Sequence, residues 1–258
     1  MSSRTVAIIT ASSNSGKYCI DELFSKYKNS GLKVRAAFRS AEKAKPFSDK
    51  YPELEIVTDV DAAKPETLGK VFQNADSALI VTPQGSENDS LSATNMINSA
   101  VENGVKYIVL VGSFTAKNME RMSGIGKRFK PSEDLLEKLG NENKVKWTVL
   151  RGGVFMENYL PSLSRVKAEG IYTSAFIQVP VVDTKDIGKS AAACLASTNV
   201  DEHDKKHYEM NGPEILSSKD MADHFAKALG IKVEYKELPK EMLSKVMPAN
   251  VAGIKNRI

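Results

Sequence analysis

The sequence predicts an α/β fold: a Rossmann-type doubly wound parallel sheet with a smaller C-terminal α/β substrate subdomain. Three observations carry that expectation. The chain has 258 residues, enough for a sizeable core and, at roughly 150 residues per unit, for between one and two folding units. Its 41% hydrophobic and 26% charged residues match a globular chain and exclude a disordered or collagen-like one. In the first half, short β-branched runs alternate with stretches whose apolar residues recur at helical spacing, the mark of βαβ units.

Six strands are expected in that half, at residues 5–10 (TVAIIT), 33–38 (KVRAAF), 54–58 (LEIVT), 77–81 (SALIV), 107–111 (YIVLV) and 146–150 (KWTVL). Between the first two, Ile20, Leu23, Phe24 and Tyr27 form one apolar helical stripe, with Gly31 as the stop. Between the fourth and fifth, Ala93, Met96, Ile97, Ala100 and Val101 form another. Ser86-x-x-Asp89 resembles a capping box at its start, and Gly104 closes it. After Arg151 the pattern changes. Gly152-Gly153 opens a Pro/Gly-punctuated stretch up to Gly170, followed by a strand at 178–182 and a helix placing Ile187, Ala191, Cys194 and Leu195 on one face. A strand at 206–210 comes next. Ser217-Ser218-Lys219-Asp220 then caps a helix carrying Met221, Ala222, Phe225, Ala228 and Leu229 on one side before Gly230. A strand at 232–237 and a short helical tail end the chain. We place the larger domain at 1–152 and a lid or substrate subdomain at 153–258, part of which returns to the main sheet.

Composition narrows the function. The 36 Lys and Arg and 32 Asp and Glu are spread along the chain, with no basic arm, so no nucleic-acid partner is expected. No run approaches 18 apolar residues, and the first ten residues have too short an apolar core for a signal peptide, so we expect no membrane partner and a cytoplasmic location. Cys19 and Cys194, both in helical apolar patterns, are expected to be buried small hydrophobes. His203 and His207 stand four apart in a polar stretch without other patterned ligands, so a solvated segment is expected and no metal site. There is neither a Gly-x-Ser-x-Gly elbow nor a Gly-Lys-Ser/Thr phosphate loop.

In an open parallel sheet, ligands bind beyond the carboxyl ends of the strands, which directs attention to the first strand-to-helix turn. It reads Thr10-Ala11-Ser12-Ser13-Asn14-Ser15-Gly16. A dinucleotide fingerprint would place glycines at 10, 13 and 16, and only Gly16 is one. Thr10, Ser12, Ser13, Asn14, Ser15 and Gly16 remain the cofactor-binding candidates, because Asn tolerates positive φ and a helix N-terminus still presents unpaired N–H groups to an anion. At the end of the second strand stand Phe38-Arg39-Ser40, with Lys43 one turn on and no carboxylate at the strand end. A guanidinium there suits the 2′-phosphate of NADP, so NADP(H) is the expected cofactor, with Arg39 and Lys43 holding it.

With those positions in view, the chain resembles the NmrA-like group of atypical short-chain dehydrogenases/reductases. This group includes NADPH-dependent quinone and dye reductases and NADP-sensing regulators. Beyond the turn and strand end, Thr58-Asp59-Val60-Asp61 resembles the group's segment near the adenine, and Val81-Thr82-Pro83 its fourth-strand end. Thr148-Val-Leu-Arg151 with Phe155-Met156-Glu157-Asn158, and Val182-Asp183-Thr184-Lys185-Asp186-Ile187-Gly188, are similar to its most specific signatures, and residues 208–217 (YEMNGPEILS) to its entry into the C-terminal helix. The resemblance adds Asp59, Val60, Thr82, Pro83, Lys130 and Phe155 to the cofactor-binding candidates and makes Lys130 a catalytic one. Ser113, at the end of the fifth strand, is the other catalytic candidate, since a hydroxyl there could face the nicotinamide, or else bond to its own backbone. Phe155, Met156 and Tyr159 would either wall the acceptor, with Asn158 as a hydrogen-bonding tip, or pack in the core of the helix after the sixth strand.

One departure matters. None of the eight tyrosines has Lys four residues later, so the Tyr-x-x-x-Lys acid of typical short-chain reductases is missing. The resemblance implies an NADPH-dependent oxidoreductase passing hydride to a quinone-like small acceptor, as monomer or homodimer. The alternative is a non-catalytic NADP(H)-binding redox sensor acting through a protein partner, and a weaker third reading is a scaffold without cofactor.

Overall fold

Strands β4 (Ser77–Val81) and β5 (Tyr107–Ser113) are buried at every residue, as continuous apolar runs must be when helices cover both faces of a parallel sheet. They form the middle of the sheet in a computed structural model that describes residues 3–83, 88–117, 123–174 and 178–238. The remaining strands of this sheet are β1 (Arg4–Ile8), β2 (Leu32–Ala37), β3 (Glu55–Val57), β6 (Lys146–Gly152) and β10 (Lys206–Met210). The seven strands run β10-β6-β5-β4-β1-β2-β3, all parallel. The chain winds outward from β1 to β3, then crosses back to β4 and winds the other way, so the direction reverses between β1 and β4. That switch point is where such folds open a crevice.

Helices fill both faces. On one side, α1 (Asn14–Ser25), α2 (Ala41–Lys50) and α7 (Thr184–Ala196) pack through Ile20, Leu23, Ala44, Ile187, Ala191 and Leu195. On the other, α3 (Gly69–Phe72), α4 (Asp89–Glu102) and α5 (Ser123–Asn141) pack through Val71, Phe72, Met96, Ile97, Leu136 and Leu139. Gly188 explains how closely α7 approaches α1: a Cβ there would lie 2.5 Å from Tyr18 Cβ and 2.8 Å from Cys19 N.

A third apolar cluster, including Val166, Tyr172, Val181, Leu216 and Met221, belongs to the second half of the chain. Here β7 (Val154–Phe155), β9 (Gln178–Val182) and β11 (Ile215–Ser217) make a three-stranded sheet, and β8 (Ile171–Ser174) pairs with β12 (Glu234–Glu237). Helices α6 (Leu163–Glu169) and α8 (Ser218–Leu229) cover them, and the capping box expected at Ser217 and Asp220 is complete.

The class expected from sequence is the one observed. Strands β7, β8 and β11, each of four residues or fewer, and helix α6 were not expected, because such short segments show no period in the sequence; the other differences are at element ends. β1 stops at Ile8 because Ile9 and Thr10 already turn, and α1 stops at Ser25, leaving Tyr27 to pack from the following turn. β5 and β6 run two residues further than their apolar runs, through Gly112-Ser113 and Arg151-Gly152, since backbone pairing continues where the side chains turn polar. β12 starts at Glu234, two residues later than expected. Gly31 and Gly104, the expected stops, have φ of 72° and 82°. Ser86 and the C-terminal tail lie outside the described residues. Both cysteines are buried and unbridged, and burial pushes the Cys19 thiol far above its ordinary range. The two histidines depart from a solvated segment: His203 Nδ1 is 3.0 Å from Tyr208 Oη, and the His207 ring packs edge-on against Trp147. Among the described residues, no helix is long and apolar enough to cross a membrane.

Candidate active site

The turn after β1 is built by hydrogen bonds that replace what glycine would have permitted. Ser13 is the N-cap of α1: its Oγ accepts from Gly16 N at 3.1 Å and donates to Thr10 O at 2.7 Å. Thr10 in turn accepts from Val81 N through its own Oγ1 at 3.1 Å, tying the end of β1 to the end of β4 across the switch point. Gly16 remains obligatory, because a Cβ there would stand 2.5 Å from Thr10 O. Ser12 is exposed and Ser15 buried. The Ser13 hydroxyl thus occupies one amide of the helix start, while the amides of Asn14 and Ser15 precede the first intrahelical bond.

Above this turn lies a cavity of about 190 Å³. Thr10, Ser13, Asn14 and Ser15 line it from the turn, Val81, Thr82 and Pro83 from the end of β4, and Phe155 from β7. Seven of the residues singled out from sequence therefore meet on one wall. Thr82 Oγ1 is buried there without a hydrogen-bond partner among the described residues. Further along the same edge, Arg39 and Lys43 are exposed at the end of β2 and the start of α2. Val60 N donates to Phe38 O at 3.2 Å, and Asp59 beside it is held at φ 57°, so the ends of β2 and β3 close together next to Arg39.

The other candidates have different surroundings. Ser113, nearly buried at the end of β5, accepts from Thr115 N at 3.3 Å and Thr115 Oγ1 at 2.9 Å, starting a short 3₁₀ turn. Lys130 on α5 forms an ion pair with Asp134 one turn on, while Phe129 before it is buried. Met156 and Asn158 are exposed beyond β7. Tyr159 packs into the third apolar cluster, where burial pushes its hydroxyl up to about 12. Phe155 alone of the acceptor-wall candidates lines the cavity.

Sequence reading missed two arrangements. Glu157 accepts from Thr184 N at 3.2 Å, so the Phe-x-Glu-Asn segment caps α7 and joins the Val-Asp-x-x-Asp-Ile-Gly segment. Glu133 on α5 forms a buried pair with Arg151 at the end of β6. Glu133 stands among the acids Asp134 and Glu137 in the sequence, and nothing in the spacing separates the one that is buried from the ones at the surface.

The sequence profile of the NmrA-like family matches residues 2–254. The chain belongs to the NmrA-like family. Among relatives, it is 24% identical over 234 residues to an NAD(P)H azoreductase from Xenophilus azovorans, covering 88% of this chain and 78% of that one. It is also 24% identical over 173 residues to a (4-alkanoyl-5-oxo-2,5-dihydrofuran-3-yl)methyl phosphate reductase from Streptomyces griseus; that match covers 66% of this chain but only 58% of the relative. Among solved structures, an NADPH-dependent quinone oxidoreductase from Escherichia coli complexed with NADPH superposes with a TM-score of 0.81 at 22% identity, covering 96% of this chain and 86% of that one. At that identity the superposition shows the fold.

This NmrA-like chain retains what a nicotinamide dinucleotide needs. Thr82, whose buried hydroxyl has no hydrogen-bond partner among the described residues, lines a cavity at the switch point, Gly16 lets the turn close tightly on Thr10, and Arg39 stands exposed at the end of β2. The residues present fit the group.

Proposed function

We propose that this protein is an NADPH-dependent reductase of a quinone-like or related flat acceptor. The observation that carries the reading is the cavity at the switch point, with the unpaired Thr82 hydroxyl in its wall. In this reading residues 1–152 bind the nucleotide and 153–258 hold the acceptor. The N–H groups of Asn14 and Ser15 and the Thr10–Ser13 turn receive the pyrophosphate, and Arg39 with Lys43 takes the 2′-phosphate. Asp59 and Val60 border the adenine, while Thr82 and Pro83 border the nicotinamide end.

When bound, the reduced nicotinamide supplies the hydride. What the chain adds is placement and exclusion of water: Phe155 closes the cavity, and Met156, with the neighbouring exposed Leu160, offers apolar surface to a flat acceptor. Asn158, exposed three residues after Phe155, is a donor for an acceptor oxygen. A delocalised acceptor takes its proton from water, which suits a chain without a Tyr-x-x-x-Lys acid. The relatives named as an azoreductase and a quinone oxidoreductase support this class of acceptor.

The sensor reading has one observation in its favour: Lys130 and Ser113 are engaged with Asp134 and Thr115. Following NADPH absorbance with a panel of quinones and azo dyes separates the two. The reductase reading expects turnover that is faster with NADPH than with NADH, and tight NADPH binding with no turnover on any acceptor would leave only the sensor.

A further inference from the structure

Of the described side-chain polar atoms that are buried without a hydrogen-bond partner, three fall in one place, between α5, β6 and β10: Glu133 Oε1, Trp147 Nε1 and His207 Nε2. At the centre is Glu133, whose side chain is 0% exposed. Arg151 Nε and Nη2 both donate to its Oε2, at 3.1 and 2.7 Å. The other titratable groups facing the pair are Glu209, 3.5 Å from Arg151 Nη1 and 3.7 Å from Lys117, and His207, whose imidazole burial disposes to the neutral form, 3.7 Å from Glu133 and 3.5 Å from Glu137. Lys130 adds a cation one turn earlier on α5.

A buried ion pair with one oxygen left unpaired contributes less stability than apolar side chains of equal volume would, so stability does not account for it. Its position suggests another role. Gly112 pairs across the sheet with Arg151, and Ser113 with Gly152. A Cβ at 112 would stand 2.7 Å from Glu133 Oε1, so only glycine admits the carboxylate behind β5. One residue on, side chains point to the opposite face, and there a Cβ at 152 would stand 2.8 Å from Phe155 Cε1. The clamp on one face and the seat of Phe155 on the other are thus adjacent residues of β6.

We propose that Glu133 and Arg151 are positioning residues: their ion pair holds the carboxyl ends of β5 and β6 together and, through Gly152, seats Phe155 against the nucleotide cavity. The proposal rests on reading that cavity as the nicotinamide site. Hydride transfer depends on placement, so a loosened Phe155 lowers turnover more than it lowers affinity for a nucleotide gripped mainly at its phosphates.

The test compares wild type with Glu133→Gln, which keeps the shape and removes the charge, and with Arg151→Lys, which keeps the charge and removes the fork. Amide hydrogen exchange is measured beside kcat with a quinone and calorimetric Kd for NADPH. Glu133→Gln is expected to speed exchange about tenfold or more at residues 112–113 and 151–155, leaving β4 protected. It should lower kcat about tenfold with Kd changed less than about twofold, and Arg151→Lys should retain part of kcat. Unchanged exchange at those strand ends overturns the proposal, as does a kcat loss that only tracks a falling unfolding temperature. If Glu133→Gln does not fold, the exchange pattern of Arg151→Lys decides. If wild type oxidises no NADPH, the reductase reading fails, and hydrogen exchange, which needs no turnover, still decides the clamp.

Discussion

Thr82 carries its hydroxyl into the cavity wall with no partner among the described residues, a state that costs free energy until a ligand supplies one. Thr82→Val, nearly isosteric, is therefore expected to leave the free protein as stable or slightly more so, while weakening NADPH by about 1 kcal/mol, the net worth of one hydrogen bond. Calorimetric affinity and the unfolding midpoint check both halves. At the far end of the crevice, Arg39→Asp should abolish any preference for NADPH over NADH, and paired titrations showing an unchanged preference would assign the phosphate to another group. At this scale the sequence was legible in part. The residues around the cavity could be named from the turn and strand ends. The Thr10 hydroxyl bonded to Val81 N could not, because its partner lies 71 residues away and nothing local marks the pairing.

Among the elements, α7 shows how one small residue sets a helix approach. A Cβ at Gly188 would press on Tyr18 Cβ and the backbone of α1, so Gly188→Ala is expected to cost about 1–3 kcal/mol, read from chemical denaturation. Ser217→Ala removes the capping box of α8 and should cost about 1 kcal/mol by the same measurement, with NADPH affinity unchanged. The cores of the longer strands and the buried faces of α1, α4, α7 and α8 followed from apolar spacing, which is a local property, whereas the short strands β7, β8 and β11 did not. Strand ends did not, since Gly112-Ser113 and Arg151-Gly152 pair through backbone atoms whose partners are supplied by neighbouring strands. Tyr159, expected at the acceptor wall by its nearness to Phe155, instead fills the third apolar cluster, as the 3₁₀ segment after β7 rotates it away from the cavity.

For the whole molecule, the parallel sheet with its reversal between β1 and β4 places the ends of β1, β2 and β4 around one crevice, and the glycine-poor turn keeps it open by hydrogen bonding instead of by absent side chains. Global stability should carry the signature of the buried pair behind that crevice. Burial, outweighing the pull of Arg151, holds the Glu133 carboxyl above its ordinary range. Above the unfolded-state value the folded chain then binds more protons than the unfolded one, so this group's contribution to stability falls as pH rises through the folded value. Denaturation across that window should show the stability of wild type declining relative to Glu133→Gln, and a parallel pair of curves would count against the shifted carboxyl.

The most direct test of the account is a crystal structure grown with excess NADP. The account predicts diphosphate density at the start of α1 beside Asn14 and Ser15, the 2′-phosphate within reach of Arg39, and a polar ligand atom on the Thr82 hydroxyl. Crystals in which protein side chains fill that crevice, or in which the nucleotide binds elsewhere, would contradict it.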